Sequence, residues 1–148
     1  MTEQHREAVI LLVEDNEGDI LLTQEALQDA KLVNKLLIAR DGDEALDILY
    51  QRNGFEDAER PDLIFLDLNL PGTDGYEVLE IIKNEPSLKA IPVVVLTSSH
   101  AEDDRLTTYE MHANCFVSKP LSAKTFMEVV RQLEAFWLQV VALPPKRS

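Results

Sequence analysis

Cysteine is almost absent from the sequence, since Cys115 is the only one among 148 residues. An internal disulfide and a metal site built from several cysteines are therefore excluded, and a reducing, cytoplasmic setting is expected. Positive charge is also scarce, because 14 basic residues stand against 27 acidic ones, which gives a formal net charge of −13. This balance disfavours contact with a phosphate backbone, so we expect no nucleic-acid partner.

Long apolar runs are missing as well. The run behind the polar residues 1–7 ends at Glu14, which is too short for a secretory or membrane-spanning segment, so we expect a soluble protein without membrane contact. With 45% hydrophobic and 28% charged residues, the chain is able to bury a core. Its length fits one domain. We expect an N-terminal tail over 1–7, a folded domain over 8–138 and a C-terminal extension over 139–148.

Short apolar runs alternate with helical patterns along the chain, which is typical of βα units around a parallel sheet. Three of the five runs are almost entirely apolar, as strands covered on both faces should be. The predicted strands are Ala8 to Val13, Leu36 to Ala39, Leu63 to Leu66, Val93 to Leu96 and Cys115 to Val117.

Five helix candidates carry apolar residues at helical spacing. Residues 51–60 between them have turn residues and charge but little periodicity, so they are predicted to form a surface loop. The prolines of residues 143–148 cannot continue a helix. The predicted helices are Asp19 to Ala30, Asp43 to Tyr50, Tyr76 to Asn84, Glu102 to Met111 and Ala123 to about Leu138.

The first, third, fourth and fifth predicted strands are each followed by polar residues that suit a common site. In an open parallel sheet, ligands bind beyond the carboxyl ends of the strands, so we expect these side chains to converge. They are Glu14 and Asp15 after the first strand, Asp67 after the third, Thr97 after the fourth and Lys119 after the fifth.

The three carboxylates of this set indicate a cation site. Carboxylates close together repel one another and resist burial, so they need a cation or have raised pKa values. Oxygen ligands suit Mg²⁺, which binds one or two carboxylates together with a phosphate oxygen and leaves the third carboxylate available for reaction. Aspartate is a known covalent acceptor of phosphoryl groups. Lys119 could neutralise phosphate charge, and Thr97 could hydrogen-bond a phosphoryl oxygen.

At these positions the chain resembles the receiver domain of bacterial two-component response regulators, over roughly Val9 to Leu133. The resemblance implies an α/β fold, with a five-stranded parallel sheet in the flavodoxin-like order 2-1-3-4-5, helices on both faces and an extended C-terminal helix. The motifs that carry it are Val13 to Asn16, Leu66 to Gly75, Leu96 to Ser98 and Phe116 to Pro120.

The resemblance implies that Asp67 accepts a phosphoryl group from a sensor histidine kinase. It places Mg²⁺ on Asp15, Asp67 and the backbone carbonyl of Asn69, with Glu14 holding a metal-bound water. Many family members have aspartate at the position of Glu14, so its longer side chain departs from the pattern. A receiver is not a conventional enzyme, but it catalyses its own aspartyl phosphorylation and dephosphorylation.

The resemblance also implies a conformational switch. Thr97 and Lys119 would contact the phosphoryl group, and the peptide bond before Pro120 would be cis. Phe116 matches the family's switch aromatic, which fills the space that the threonine leaves. The surface formed by the last strand and its neighbouring helices would then change.

The C-terminal region is similar to that of the small response regulators paired with bacterial phytochromes, which often form homodimers. The similarity extends to the longer loop before the third strand and to residues 111–115. Phe136, Trp137 and Val140 are expected to form an apolar patch suited to an isologous homodimer. The alternative is that they fold back onto the protein's own body.

Other readings of the same residues remain open. A Mg²⁺-dependent phosphohydrolase would also form an aspartyl phosphate, but Asn69 stands where such enzymes have a second acid. A phosphorylation-independent dimerising scaffold would carry a vestigial pocket. Residues 14–16 could simply cap the first helix, residues 97–99 could start another, and Phe116 could be an ordinary core residue. The three histidines lack ligand spacing, so no histidine metal site is expected.

Overall fold

The structure is a computed structural model that describes residues 8–29, 34–97, 115–119 and 122–132. Within these residues, five parallel strands form one sheet in the order β2-β1-β3-β4-β5, which confirms the predicted topology. The strands are β1 (Ala8–Val13), β2 (Asn34–Ala39), β3 (Leu63–Asp67), β4 (Val93–Thr97) and β5 (Cys115–Ser118).

Four helices lie in the described part of the chain. The helix predicted over 102–111 lies outside it, and so do the N-terminal tail 1–7 and residues 133–148. Among the described helices, none is long and apolar enough to cross a membrane. They are α1 (Glu17–Asp29), α2 (Gly42–Tyr50), α3 (Gly75–Asn84) and α4 (Ala123–Gln132).

Side-chain caps start the first three helices. The Asn16 side chain accepts a hydrogen bond from the Asp19 backbone N–H at 2.9 Å, so α1 begins two residues earlier than predicted. The Asp41 side chain caps α2 by accepting a hydrogen bond from the Glu44 N–H, and the Asp74 side chain caps α3 by accepting one from the Glu77 N–H. The acidic caps also suit the positive end of each helix dipole.

The sheet separates two apolar clusters, because successive side chains of a strand point to opposite faces. Leu11 and Val13 of β1 pack with α2 and α3 on one face. Ile10 and Leu12 pack with α1 and α4 on the other face, where Phe126 is fully buried. Helices therefore cover both faces, as predicted.

The loop between α2 and β3 turns at Gln51 and Asn53, which both have positive φ. Its C-terminal end is fastened to the body of the domain: Lys35 pairs with Glu59, and Arg60 donates to the Ser87 carbonyl oxygen. The prediction of a surface loop over residues 51–60 is confirmed. It lies away from the carboxyl ends of the strands.

Candidate functional site

The carboxyl edge of the sheet brings the predicted polar residues together. Glu14 and Asp15 directly follow β1, Asp67 is the last residue of β3, and Lys119 follows β5. The Glu14 N–H donates to the Ala39 carbonyl oxygen at 2.9 Å, so the β1–β2 ladder continues up to the site. Rigid central strands therefore fix the backbone positions of the acidic residues.

Three carboxylates form one cluster at this edge. Glu14, Asp15 and Asp67 each offer an oxygen atom, and these atoms lie within 4.8 Å of one another. Glu14 and Asp67 are buried, whereas Asp15 is exposed to solvent. A set of oxygen donors that is buried on one side and open on the other fits a divalent cation that keeps part of its water shell.

Lys119 is the positive group of the site. Its Nζ lies 2.8 Å from Glu14 Oε1, 3.0 Å from Asp67 Oδ2 and 3.1 Å from Asp19 Oδ2. Burial by itself would lower the pKa of Lys119, but the hydrogen bonds to these carboxylates outweigh it and raise the pKa above its ordinary value. The ammonium group therefore stays charged at neutral pH.

Glu14 carries the most perturbed carboxyl group of the site. Burial raises the pKa of Glu14 to about 7, and the neighbouring charge of Asp67 adds to the rise, while the hydrogen bond from Lys119 opposes it. Without a metal ion, the Glu14 carboxyl group is therefore only partly ionised at neutral pH. A cation that binds here competes with a proton.

The loop behind Asp67 is held tightly. The Asn69 backbone N–H donates to Asp67 Oδ1 at 3.1 Å, which orients the carboxylate. A Cβ added to Gly42 at the start of α2 would lie 2.1 Å from the Thr73 carbonyl oxygen. Thr73 Oγ1 also donates to Asp43 Oδ1 at 2.6 Å. The start of α2 thus braces the loop that carries Asn69.

Some of the predicted site residues have no described side chain. Thr97 is the last residue of β4, and its side chain is outside the described part of the structure, as are Pro120 and the residues Phe136, Trp137 and Val140. Phe116 is described: it is partly buried and packs against the apolar cluster beside α2 and α3.

Asp19 is the site residue that the sequence predictions missed. They treated it as the first residue of a helix, whereas its carboxylate contacts Lys119. A signal was present, because Asp19 comes only four residues after Asp15 and lies in the first turn of α1. Only residues 14–16 separate the end of β1 from α1, so this first turn begins beside the site.

Comparisons with known proteins agree with this geometry. The family model for the response regulator receiver domain matches residues 10–131. Response regulator Rcp1 of Synechocystis sp. is 49% identical over 142 residues, which are 96% of this chain and 97% of that protein. The crystal structure of the Mn(2+)-bound form of Rcp1 is 50% identical, with a TM-score of 0.75 over 93% of this chain and 99% of that chain. The crystal structure of the phosphorylated cyanobacterial phytochrome response regulator RcpA is 46% identical, with a TM-score of 0.78 over 94% of this chain and 99% of that chain.

Proposed function

The chain belongs to the response regulator receiver family, and on that premise we propose that it is a single-domain response regulator whose Asp67 accepts a phosphoryl group from a sensor histidine kinase. The observation that carries the proposal is the pairing of Asp67 with Lys119, 3.0 Å apart, beside the carboxylates of Glu14 and Asp15. A nucleophilic carboxylate, a cation site and a fixed ammonium group are the parts that phosphoryl transfer to aspartate needs.

Asp67 acts as the nucleophile in this proposal. One of its carboxylate oxygens forms a bond to phosphorus, while the bond from phosphorus to the donor's histidine nitrogen breaks and leaves its electron pair on the ring. Hydrogen bonds from Asn69 and Lys119 already fix the two oxygens of Asp67, so little ordering remains for the reaction. Lys119 places positive charge beside the transferred group.

Mg²⁺ is the cation of the proposal. Asp15, Asp67 and the Asn69 backbone carbonyl would hold it directly, and Glu14 would hold it through water. When bound, the ion offsets negative charge on the phosphoryl oxygens. Support comes from the cluster of three carboxylates and from the related Rcp1, of which a Mn(2+)-bound form has been solved.

The proposed switch uses Thr97 and Phe116, with a cis peptide bond before Pro120. Thr97 contacts the phosphoryl group, and Phe116 fills the space that the threonine side chain leaves. The end of β4 lies next to β5, where Thr97 is paired with Ser118 and Phe116 with Val95, so the two switch residues stand on neighbouring strands. Phosphorylation then signals through altered protein contacts, not through a second chemical product.

The partners belong to the proposal too. The similarity to phytochrome response regulators makes a phytochrome the proposed sensor kinase and the cytoplasm the proposed location, without a nucleic-acid or membrane partner. The proposed receiver domain spans 8–138, between a tail over 1–7 and an extension over 139–148. A homodimer would form through the apolar residues Phe136, Trp137 and Val140.

Phosphoryl incorporation from acetyl phosphate with Mg²⁺ tests the proposal. We expect wild type to be labelled, Asp67→Asn to remain unlabelled, and the matched control Asp57→Asn in the exposed loop to behave as wild type. The decay of the label measures self-catalysed dephosphorylation, and light scattering on the same samples reports assembly. Transfer from a phosphorylated bacterial phytochrome kinase tests the partner.

Two results would contradict the proposal. If wild type stays unlabelled where a known receiver is labelled, the scaffold alternative is favoured. If wild type turns over small phosphoesters continuously, the phosphohydrolase alternative is favoured.

A further inference from the structure

Asp19 contacts Lys119 but has no part in the phosphotransfer proposed above. We propose that Asp19 is a positioning residue that holds Lys119 while Asp67 is unphosphorylated and releases it to the phosphoryl group afterwards. This inference rests on the proposed function. It makes the first turn of α1 sensitive to the chemical state of Asp67.

The first step of the argument is the hydrogen-bonding capacity of Lys119. An ammonium group has three N–H donors and no acceptor. Glu14, Asp67 and Asp19 are within 2.8 to 3.1 Å of Nζ, so the three carboxylates occupy the three donors. A phosphoryl oxygen can gain a hydrogen bond from Lys119 only when one of these partners gives way.

The second step is the choice of the partner that is released. Glu14 has a side chain only 1% exposed, so bulk water cannot replace the ammonium group around its carboxyl oxygens. Asp67 keeps an acceptor after phosphorylation, because only one of its two oxygens bonds to phosphorus and the other remains a carbonyl oxygen within reach of Lys119. The side chain of Asp19 is 31% exposed, so water can replace the ammonium group around its carboxylate. Asp19 is therefore the partner that costs least to release.

The third step concerns charge. Asp19 adds a carboxylate to a site that already contains Glu14, Asp15 and Asp67, where an anionic phosphodonor has to approach. Its negative charge repels that donor and competes with it for Lys119. Removal of the charge at Asp19 should therefore favour any phosphoryl group or phosphoryl mimic at Asp67.

Beryllofluoride with Mg²⁺, bound in place of a phosphoryl group, provides the main test. We expect Asp19→Asn to bind it about fivefold more tightly than wild type, as judged by calorimetry, which is the size expected for loss of one partly exposed ion pair. The matched control is Glu25→Gln, an exposed residue of the same helix with the same change in charge, which should leave the affinity unchanged. Asp19→Glu keeps the charge and should restore affinity close to that of wild type.

A second measurement needs no metal ion. In protein labelled with ¹⁵N-lysine, the Nζ resonance of Lys119 should shift in metal-free Asp19→Asn and stay unchanged in Glu25→Gln. A merely structural role for Asp19 would not alter this resonance selectively.

The outcomes separate the inference from the function on which it rests. Equal or weaker binding by Asp19→Asn, with wild-type binding by Glu25→Gln, would overturn the role of Asp19 while phosphorylation on Asp67 stands. Equal gains in both variants would show a general charge effect and would overturn it as well. If wild type binds no beryllofluoride in an Asp67-dependent manner, both the inference and the proposed function are wrong.

Discussion

Gly75 lies directly against Asp67, because a Cβ added to Gly75 would be 2.4 Å from the Asp67 carbonyl oxygen and 2.5 Å from Leu68 Cα. The Gly75 backbone N–H donates to the Leu68 carbonyl oxygen at 3.2 Å, which holds the two segments at this separation. Any side chain at position 75 has to push the end of β3 away from the start of α3. The geometry of Asp67 therefore depends on the absence of a side chain at Gly75.

Gly75→Ala should disturb both stability and phosphorylation. We expect the free energy of unfolding to fall by about 2 kcal/mol, as for other overpacked positions, and labelling of Asp67 to slow. Urea titration and acetyl phosphate labelling measure the two effects. Gly54→Ala is the control, because the added methyl group meets no atom within 4 Å. Its positive φ should lower the free energy of unfolding by about 1 kcal/mol, but labelling of Asp67 should stay normal. A Gly75→Ala protein as stable as wild type would contradict the close packing.

Lys119→Met should make the metal-free protein less stable and more responsive to Mg²⁺. The change leaves Glu14 and Asp67 without their cation, so we expect a loss of about 2 kcal/mol at pH 8, since removal of one partner of a buried ion pair is costly. Thermal melting with a chelator and with Mg²⁺ measures the difference. Mg²⁺ should raise the melting temperature of the variant more than that of wild type. Lys124→Met, at an exposed position of α4, is the control and should respond as wild type.

Glu14 should make the stability of the metal-free protein depend on pH. In the folded state, burial and the nearby charge of Asp67 raise the pKa of Glu14 from its ordinary value of 4.5 to about 7. The hydrogen bond from Lys119 acts in the opposite direction but is outweighed. Between these values the folded state binds more protons than the unfolded chain, so this group's contribution to the free energy of unfolding falls as pH rises. Urea titrations from about pH 5 to pH 8 in the presence of a chelator measure the slope.

The variant Glu14→Gln should remove this part of the pH dependence, because glutamine does not titrate. Glu25→Gln, exposed on α1, should retain it. Mg²⁺ should bind wild type more tightly at the upper end of the range, since the cation displaces a proton from Glu14. Identical pH profiles for wild type and Glu14→Gln would show that Glu14 has no raised pKa.

Phe126→Ala should show how strongly α4 is anchored to the sheet. Phe126 is fully buried, and its ring centroid lies 5.9 Å from that of Phe65 on β3. We expect a loss of about 3 kcal/mol in the free energy of unfolding, from lost burial and a residual cavity. Urea titration measures it, with Lys124→Ala, exposed on the same helix, as the control. A loss no greater than that of the control would contradict the packing of α4 against β3.

The strands were predictable because each contains an uninterrupted apolar run. The predicted ends were one residue short for β3, β4 and β5, since apolar patterning ends before backbone pairing does. Asp67 and Thr97 still belong to the ladder, paired with Leu96 and Ser118. A polar residue that completes a strand is invisible to a pattern built on hydrophobicity.

The site was predictable only where strand ends place residues together. Glu14, Asp67 and Lys119 converge because the topology brings the ends of their strands to one edge. Asp19 was missed because its position at the start of a helix already explained an acidic residue. The hydrogen bond from Thr73 to Asp43 joins residues 30 positions apart and depends on loop packing, for which the sequence contains no periodic signal.

The acidic residues of the site and its lysine lie at the ends of strands that should differ in their protection from amide hydrogen exchange. Glu14 follows β1, and Asp67 ends β3. Each of these strands is paired on both sides, whereas β5, which precedes Lys119, pairs among the described strands with β4 alone. The amide hydrogens of β1 and β3 should exchange with solvent only when the whole domain unfolds. Those of β5 should exchange through local opening at the edge of the sheet. The carboxylates would then stay together during many local openings of β5, in which Lys119 moves away. The site would therefore keep its metal-binding carboxylates in place for longer than it keeps its ammonium group.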